Sequence, residues 1–84
     1  MADLDISSLE IDKIVDTRGS VSPGPLLETK KAISEVGFGA VLEILSDDPE
    51  TKKEIQVWAK EVGQVCMGIA RKDGYERIFV LRRK

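Results

Sequence analysis

A chain of 84 residues, 42% hydrophobic and 33% charged, has room for one hydrophobic core and the composition of a globular rather than a disordered protein. A formal net charge of −2 argues against a dedicated nucleic-acid binder. The lack of histidine together with a single cysteine argues against a transition-metal site and rules out an intramolecular disulfide.

Residues 1–10 carry no strong periodicity and read as a flexible N-terminal arm, with residues 11–84 forming a single domain. The start MADLDISSLE is acidic and lacks the apolar stretch of a secretory leader. No apolar run anywhere reaches the ~18 residues of a membrane span. The expected compartment is therefore the cytoplasm, with no membrane insertion.

Lys13 to Thr17 is β-prone and runs into the turn signal Arg18-Gly19. Ser22-Pro23-Gly24-Pro25 opens a helix, with Ser22 as the expected N-cap and Pro23 at the first helical position. Leu26, Ile33 and Val36 lie on one stripe of that helix, and Gly37 is its expected stop.

Ala40 to Ser46 is apolar on both faces and reads as a central strand. Asp47-Asp48-Pro49 places carboxylates at the start of the next helix, where capping is the expected role. From Glu50 to Val62 the residues Ile55, Trp58, Ala59 and Val62 recur at i, i+3, i+4 and i+7, an amphipathic helix closed by Gly63. Gln64 to Lys72 alternates, with Val65, Met67 and Ile69 on one side and Cys66, Gly68 and Ala70 on the other. Asp73-Gly74 is a hairpin turn, and Tyr75 to Arg82 returns as the last strand.

The order is β-α-β-α-β-β. Right-handed crossovers place both helices on one face, and the terminal hairpin makes the sheet mixed. The expected fold is a two-layer α/β sandwich with two helices on a mixed four-stranded sheet. Its other face would be open, or used by a partner such as a second copy.

No Ser/His/Asp or Cys/His set exists without histidine, and Gly37-Phe38-Gly39 sits at a helix end, the wrong place for a phosphate loop. The most specific local feature is Ser22-Pro23-Gly24-Pro25. Its two prolines stiffen a helix start at which backbone N–H groups and the dipole favour an anion. A thiolate would be activated there, with Arg18 as a cationic neighbour, but position 22 is serine.

The run Asp16-x-Arg18-Gly19-x-x-Ser22-Pro23-Gly24-Pro25-Leu26, followed by a helix and then Leu45-Ser46-Asp47-Asp48-Pro49, resembles the TusA/SirA/YedF/YeeD family of small sulfur-carrier proteins. The resemblance spans about residues 12–83. That family's signature is Cys-Pro-x-Pro at the start of the first helix, and Ser22 stands in the cysteine position.

The resemblance implies the same α/β sandwich and a persulfide relay through position 22. A desulfurase or rhodanese type of donor and an acceptor protein would be the partners, with destinations that include tRNA thiolation. It implies no cofactor and no metal. Arg18 would stabilise a thiolate or persulfide, and Gly19, Pro23, Gly24 and Pro25 would shape the loop. Sulfurtransferase-like activity attaches to a cysteine at position 22, so the serine form is expected to be inactive.

Cys66 lies opposite in phase to Val65, Met67 and Ile69, and is expected on the open face, away from the loop. A second class of function is a non-catalytic binding or regulatory module on the same scaffold. An RNA-binding version would use Arg71, Lys72, Arg77, Arg82 and Arg83, with Tyr75 and Phe79 as the only stacking platforms.

Overall fold

The computed structural model describes residues 9–84, so residues 1–8 of the expected arm over residues 1–10 lie outside the described residues. Six elements follow in the expected order: β1 (Lys13–Asp16), α1 (Gly24–Ile33), β2 (Val41–Ser46), α2 (Thr51–Val62), β3 (Val65–Lys72) and β4 (Tyr75–Leu81). They form one four-stranded sheet in the order β1-β2-β4-β3. β1 runs parallel to β2, and the β2–β4 and β3–β4 pairs are antiparallel. This is the mixed two-layer α/β sandwich.

The core follows from the pleat. In β2, Leu42 and Ile44 point to one face, and their partners across β4 are Val80 and Ile78. Val15 of β1 pairs with Ile44 and joins the same face. Onto this layer pack Ala32 and Ile33 of α1 and Ile55, Trp58 and Ala59 of α2, so both helices cover one side. Gly63 ends α2 in the left-handed region (φ 82°), and Gln64 N–H closes onto the Ala59 carbonyl at 2.9 Å.

Val62 departs from expectation: it is 43% exposed. Its angular phase is that of Ile55, but it ends the helix at the margin of the core. α1 also stops earlier than Gly37. Ser34 and Glu35 N–H groups bond three residues back, to Lys31 and Ala32, and the Ser34 hydroxyl donates to the Lys31 carbonyl at 2.7 Å. The tightened turn consumes the carbonyls that a longer helix would have used.

The strand pair β3–β4 contains a register shift between Cys66 and Gly68: Cys66 pairs with Val80, and Gly68 with Phe79. One extra residue, Met67, reverses the parity of everything on one side of it. Cys66 and Ile69 therefore lie on the same face and both pack against the core beneath the helices. The expectation that Cys66 faces away from the helices is thus overturned by a bulge that simple alternation cannot register.

The far face is not bare. Phe79 is fully buried there, opposite Glu43. The Arg77 guanidinium stands 5.2 Å from its ring centroid and donates from Nε to Glu43 Oε2 at 2.7 Å. The aromatic ring is thus roofed by a charge-assisted pair.

Candidate functional site

The segment between β1 and α1 is held mainly by carboxylates. The Asp16 carboxylate accepts the Arg18 amide at 3.1 Å and two guanidinium N–H groups at 2.9 and 2.8 Å. Both oxygens of Asp47 share the Gly19 N–H at 3.1 Å each, and Asp48 Oδ2 accepts the Ser22 N–H. Ser20 N–H bonds the Thr17 carbonyl, and Gly24 N–H the Val21 carbonyl. Pro23 and Pro25 bring no N–H at all. The aspartates thus hold the loop amides of Gly19 and Ser22 ahead of α1, whereas at the head of the helix Gly24 N–H and Leu27 N–H bond the Val21 and Pro23 carbonyls.

Two expectations change as a result. At the head of α2, Asp47 makes no cap bond, and Asp48 gives one oxygen to the turn that leads into the helix. Its N-cap is Glu50, which makes no side-chain cap bond. Asp48 Oδ1 accepts the Glu50 N–H at 3.1 Å, one turn ahead of the helix, while its other oxygen reaches across to Ser22. The Asp48 amide is itself tied to the buried Ser46 hydroxyl at 3.1 Å. These contacts fasten the end of β2 to the β1–α1 loop.

Ser22 is not the N-cap of α1 either. The Ser22–Pro23 peptide is cis, and Pro23 occupies the cap position. The Ser22 hydroxyl instead donates to Glu54 Oε2 at 2.5 Å. A serine whose oxygen is engaged by a carboxylate on the other helix has no reason to serve its own helix. Ser22 is half-buried, and its amide and hydroxyl are both engaged by acidic side chains.

Arg18 is turned elsewhere. Its guanidinium is bidentate to Asp16 and lies 4.7 Å from the Tyr75 ring centroid. The Arg18 hydrogen bonds hold the Asp16 carboxyl down to about 2. Gly19, with φ 90°, supplies the backbone turn that brings its amide to Asp47. Gly24 has no such requirement, since an added Cβ would meet only the Ser20 Cβ, at 3.6 Å.

Sequence reasoning missed Glu54. The available signal was an acidic residue in the first turn of α2, beside the core position Ile55. Its proximity to Ser22 depends on how the two helices sit side by side. Cys66, half-buried against the core, has a thiol pushed up by burial, the opposite of an activated thiolate.

The basic C-terminal residues are partly committed within the fold. Arg77 pairs with Glu43, and Arg82 donates to the Val36 carbonyl and stands 4.6 Å from the Phe38 ring centroid. With Phe79 fully buried, one of the two stacking platforms of the RNA-binding reading is closed. Among the described residues, no helix is long and apolar enough to cross a membrane.

Three comparisons agree with this architecture. Residues 13–82 match the family model described as sulfurtransferase TusA. A protein of Archaeoglobus fulgidus named "Putative sulfur carrier protein" is 39% identical over 71 residues, covering 84% of this chain and 97% of that protein. The sulfur carrier protein TusA of Allochromatium vinosum is 27% identical over 74 residues, covering 88% of this chain and 96% of its own. The crystal structure of a SirA-like protein from Desulfitobacterium hafniense superposes with a TM-score of 0.76 at 27% identity, covering 86% of this chain and 99% of that one. With a family match over nearly all of its described length and the same fold in a solved relative, the chain belongs to the TusA family of sulfur carrier proteins.

Proposed function

We propose that this chain presents position 22 as the exchange point of a sulfur-carrier scaffold, to be met by a sulfur-donor protein and then by an acceptor protein. The observation that carries the reading is the anchoring of Ser22. Its amide is bound by Asp48 and its hydroxyl by Glu54, which leaves Ser22 half-buried within an exposed loop at the head of α1. Such a loop holds one side chain in one place, as a group handed between proteins requires. Gly19, Pro23 and Pro25 shape it, and Arg18 stiffens it through Asp16.

A cysteine at position 22 would carry sulfur as a persulfide. The serine hydroxyl lacks a polarizable nucleophile able to hold a sulfane sulfur, so the Ser22 form keeps the scaffold and does not load. The test is Ser22→Cys combined with Cys66→Ala, incubated with a cysteine desulfurase or a rhodanese and its substrate. Intact-protein mass spectrometry should show one added sulfur atom that a reducing agent removes, and the Ser22 parent should gain none at that position. Failure to load from either donor class moves the chain to the binding-module reading, in which the same loop docks a partner without sulfur transfer.

A further inference from the structure

We propose that Glu54 is the proton acceptor of position 22: it orients the nucleophilic side chain by a direct hydrogen bond and takes its proton during attack. The inference rests on the sulfur-carrier reading above and adds a residue from the opposite helix.

Glu54 lies in the first turn of α2, and its Oε2 receives the Ser22 hydroxyl at 2.5 Å. The hydroxyl donates and the carboxylate oxygen accepts, so the two side chains are already joined along the path a proton would take. The other oxygen, Oε1, is buried with no partner among the described residues, as is Thr51 Oγ1 three residues earlier.

Glu54 shares a groove of about 340 Å³ with Lys30 of α1, with Glu50 just ahead of α2 and with Lys53 and Glu61 of α2, and no ion pair joins any of these to it among the described residues. Lys52 is taken by Glu76 at 3.0 Å. From the β2–α2 connection, Asp48 faces the Ser22 amide. Arg18, the nearest cation in sequence, is held by Asp16.

Position 22 is therefore flanked by carboxylates, which disfavour an anion there. A thiol in that place rests protonated and needs a proton acceptor at the moment of attack. Glu54 Oε2 is within reach.

With cysteine at position 22 the step balances as follows. The thiol sulfur attacks the outer sulfur of a donor persulfide, and a new S–S bond forms as the donor's S–S bond breaks. The thiol proton passes to Glu54 Oε2, and the departing donor thiolate recovers a proton from it. One S–S bond replaces another, so no external oxidant or reductant enters. A carboxylate is a weak base towards a thiol, so the proton moves within the attack rather than before it, a contribution of about tenfold or more in rate. In the present chain, serine preserves the hydrogen bond without the sulfur chemistry.

The experiment uses the full chain with Ser22→Cys and Cys66→Ala as parent. Glu54→Gln, Glu54→Asp and a control, Glu61→Gln, two turns along the same helix, are each added to it. Iodoacetamide alkylation as a function of pH reads the thiol without any donor, and loading from a persulfide-bearing donor protein reads the transfer. Glu54→Gln should lower the alkylation midpoint by about one pH unit while slowing loading by about tenfold or more. Glu54→Asp should retain part of the loading rate, and Glu61→Gln should change neither quantity.

This opposition, a more available thiolate with slower transfer, is not produced by a merely structural residue. An unmoved alkylation midpoint in Glu54→Gln overturns the proposal, and so does loading as fast as in the parent. If Glu54→Gln fails to fold, by its thermal melt, the Glu54→Asp profile decides, and loading unchanged from the parent then counts against it. If the parent never loads, the carrier reading fails by itself, and the alkylation arm still decides whether Glu54 holds the proton.

Discussion

Asp47, the first residue after β2, receives the Gly19 amide on both of its carboxylate oxygens at 3.1 Å, across 28 positions of sequence. With Asp48 on Ser22, it couples the end of a central strand to the loop that carries position 22. Asp47→Ala should leave the fold intact and free that amide. Hydrogen exchange at Gly19 is expected to rise roughly fivefold to tenfold, the equivalent of one hydrogen bond. Unchanged exchange would mean that the loop holds its shape without this carboxylate.

The helix layer gives a paired stability test. Trp58 is 8% exposed within the core cluster, whereas Val62, one turn on, is 43% exposed. Trp58→Ala should cost about 3–5 kcal/mol, a large share of the stability of so small a domain. Val62→Ala should cost less than about 0.5–1 kcal/mol. Denaturant titrations of the two variants side by side check this, and equal losses would place α2 in the wrong rotation.

The two glycines of the loop should respond oppositely. Gly19 has φ 90°, and a side chain there forces a left-handed backbone at a cost of about 1–2 kcal/mol, although the space around it is open. Gly24 begins α1 with an ordinary φ and room for a Cβ. Gly24→Ala should be neutral or stabilising by about 0.5 kcal/mol through the unfolded chain. Melting curves of the two alanine variants separate the cases.

Asp16 offers a pH readout. Hydrogen bonds from Arg18 lower its carboxyl from 3.8 to about 2. A carboxyl lowered on folding contributes stability above its unfolded value, and loses that contribution as pH falls from there through about 2. An NMR titration of the Asp16 carboxyl carbon should show that low midpoint, and Arg18→Ala should return it to the ordinary carboxylate range. A midpoint near 3.8 with Arg18 present would mean that the pair does not persist in solution.

Much of this protein was legible in its sequence, because the relevant causes are local or periodic. The order of elements follows from runs of apolar residues broken by turn residues. Asp73-Gly74 becomes the hairpin because two successive residues must adopt positive φ, here 38° and 87°. Gly63 ends α2 for the same kind of reason. The Ser22-Pro23-Gly24-Pro25 loop was likewise visible, as was the family that the chain belongs to.

What the tertiary structure alone decided concerns partners distant along the chain. Ser22 and Asp48 were expected to act on their own helices. Ser22 instead bonds Glu54, 32 residues on, and Asp48 keeps one oxygen on the Glu50 N–H while the other reaches Ser22, 26 residues back, because hydroxyls and carboxylates bond whichever polar group the packed layers bring nearest. Arg18 likewise carried no mark of whether it would meet position 22 or Asp16. Cys66 changed faces through a single-residue bulge, and alternation along one strand contains no information about an extra residue that only the pairing with β4 reveals. Sequence periodicity reports which residues are apolar and how they repeat. The electrostatics around position 22 depend on the juxtaposition of α1, α2 and the end of β2, which is set by packing three elements on one core.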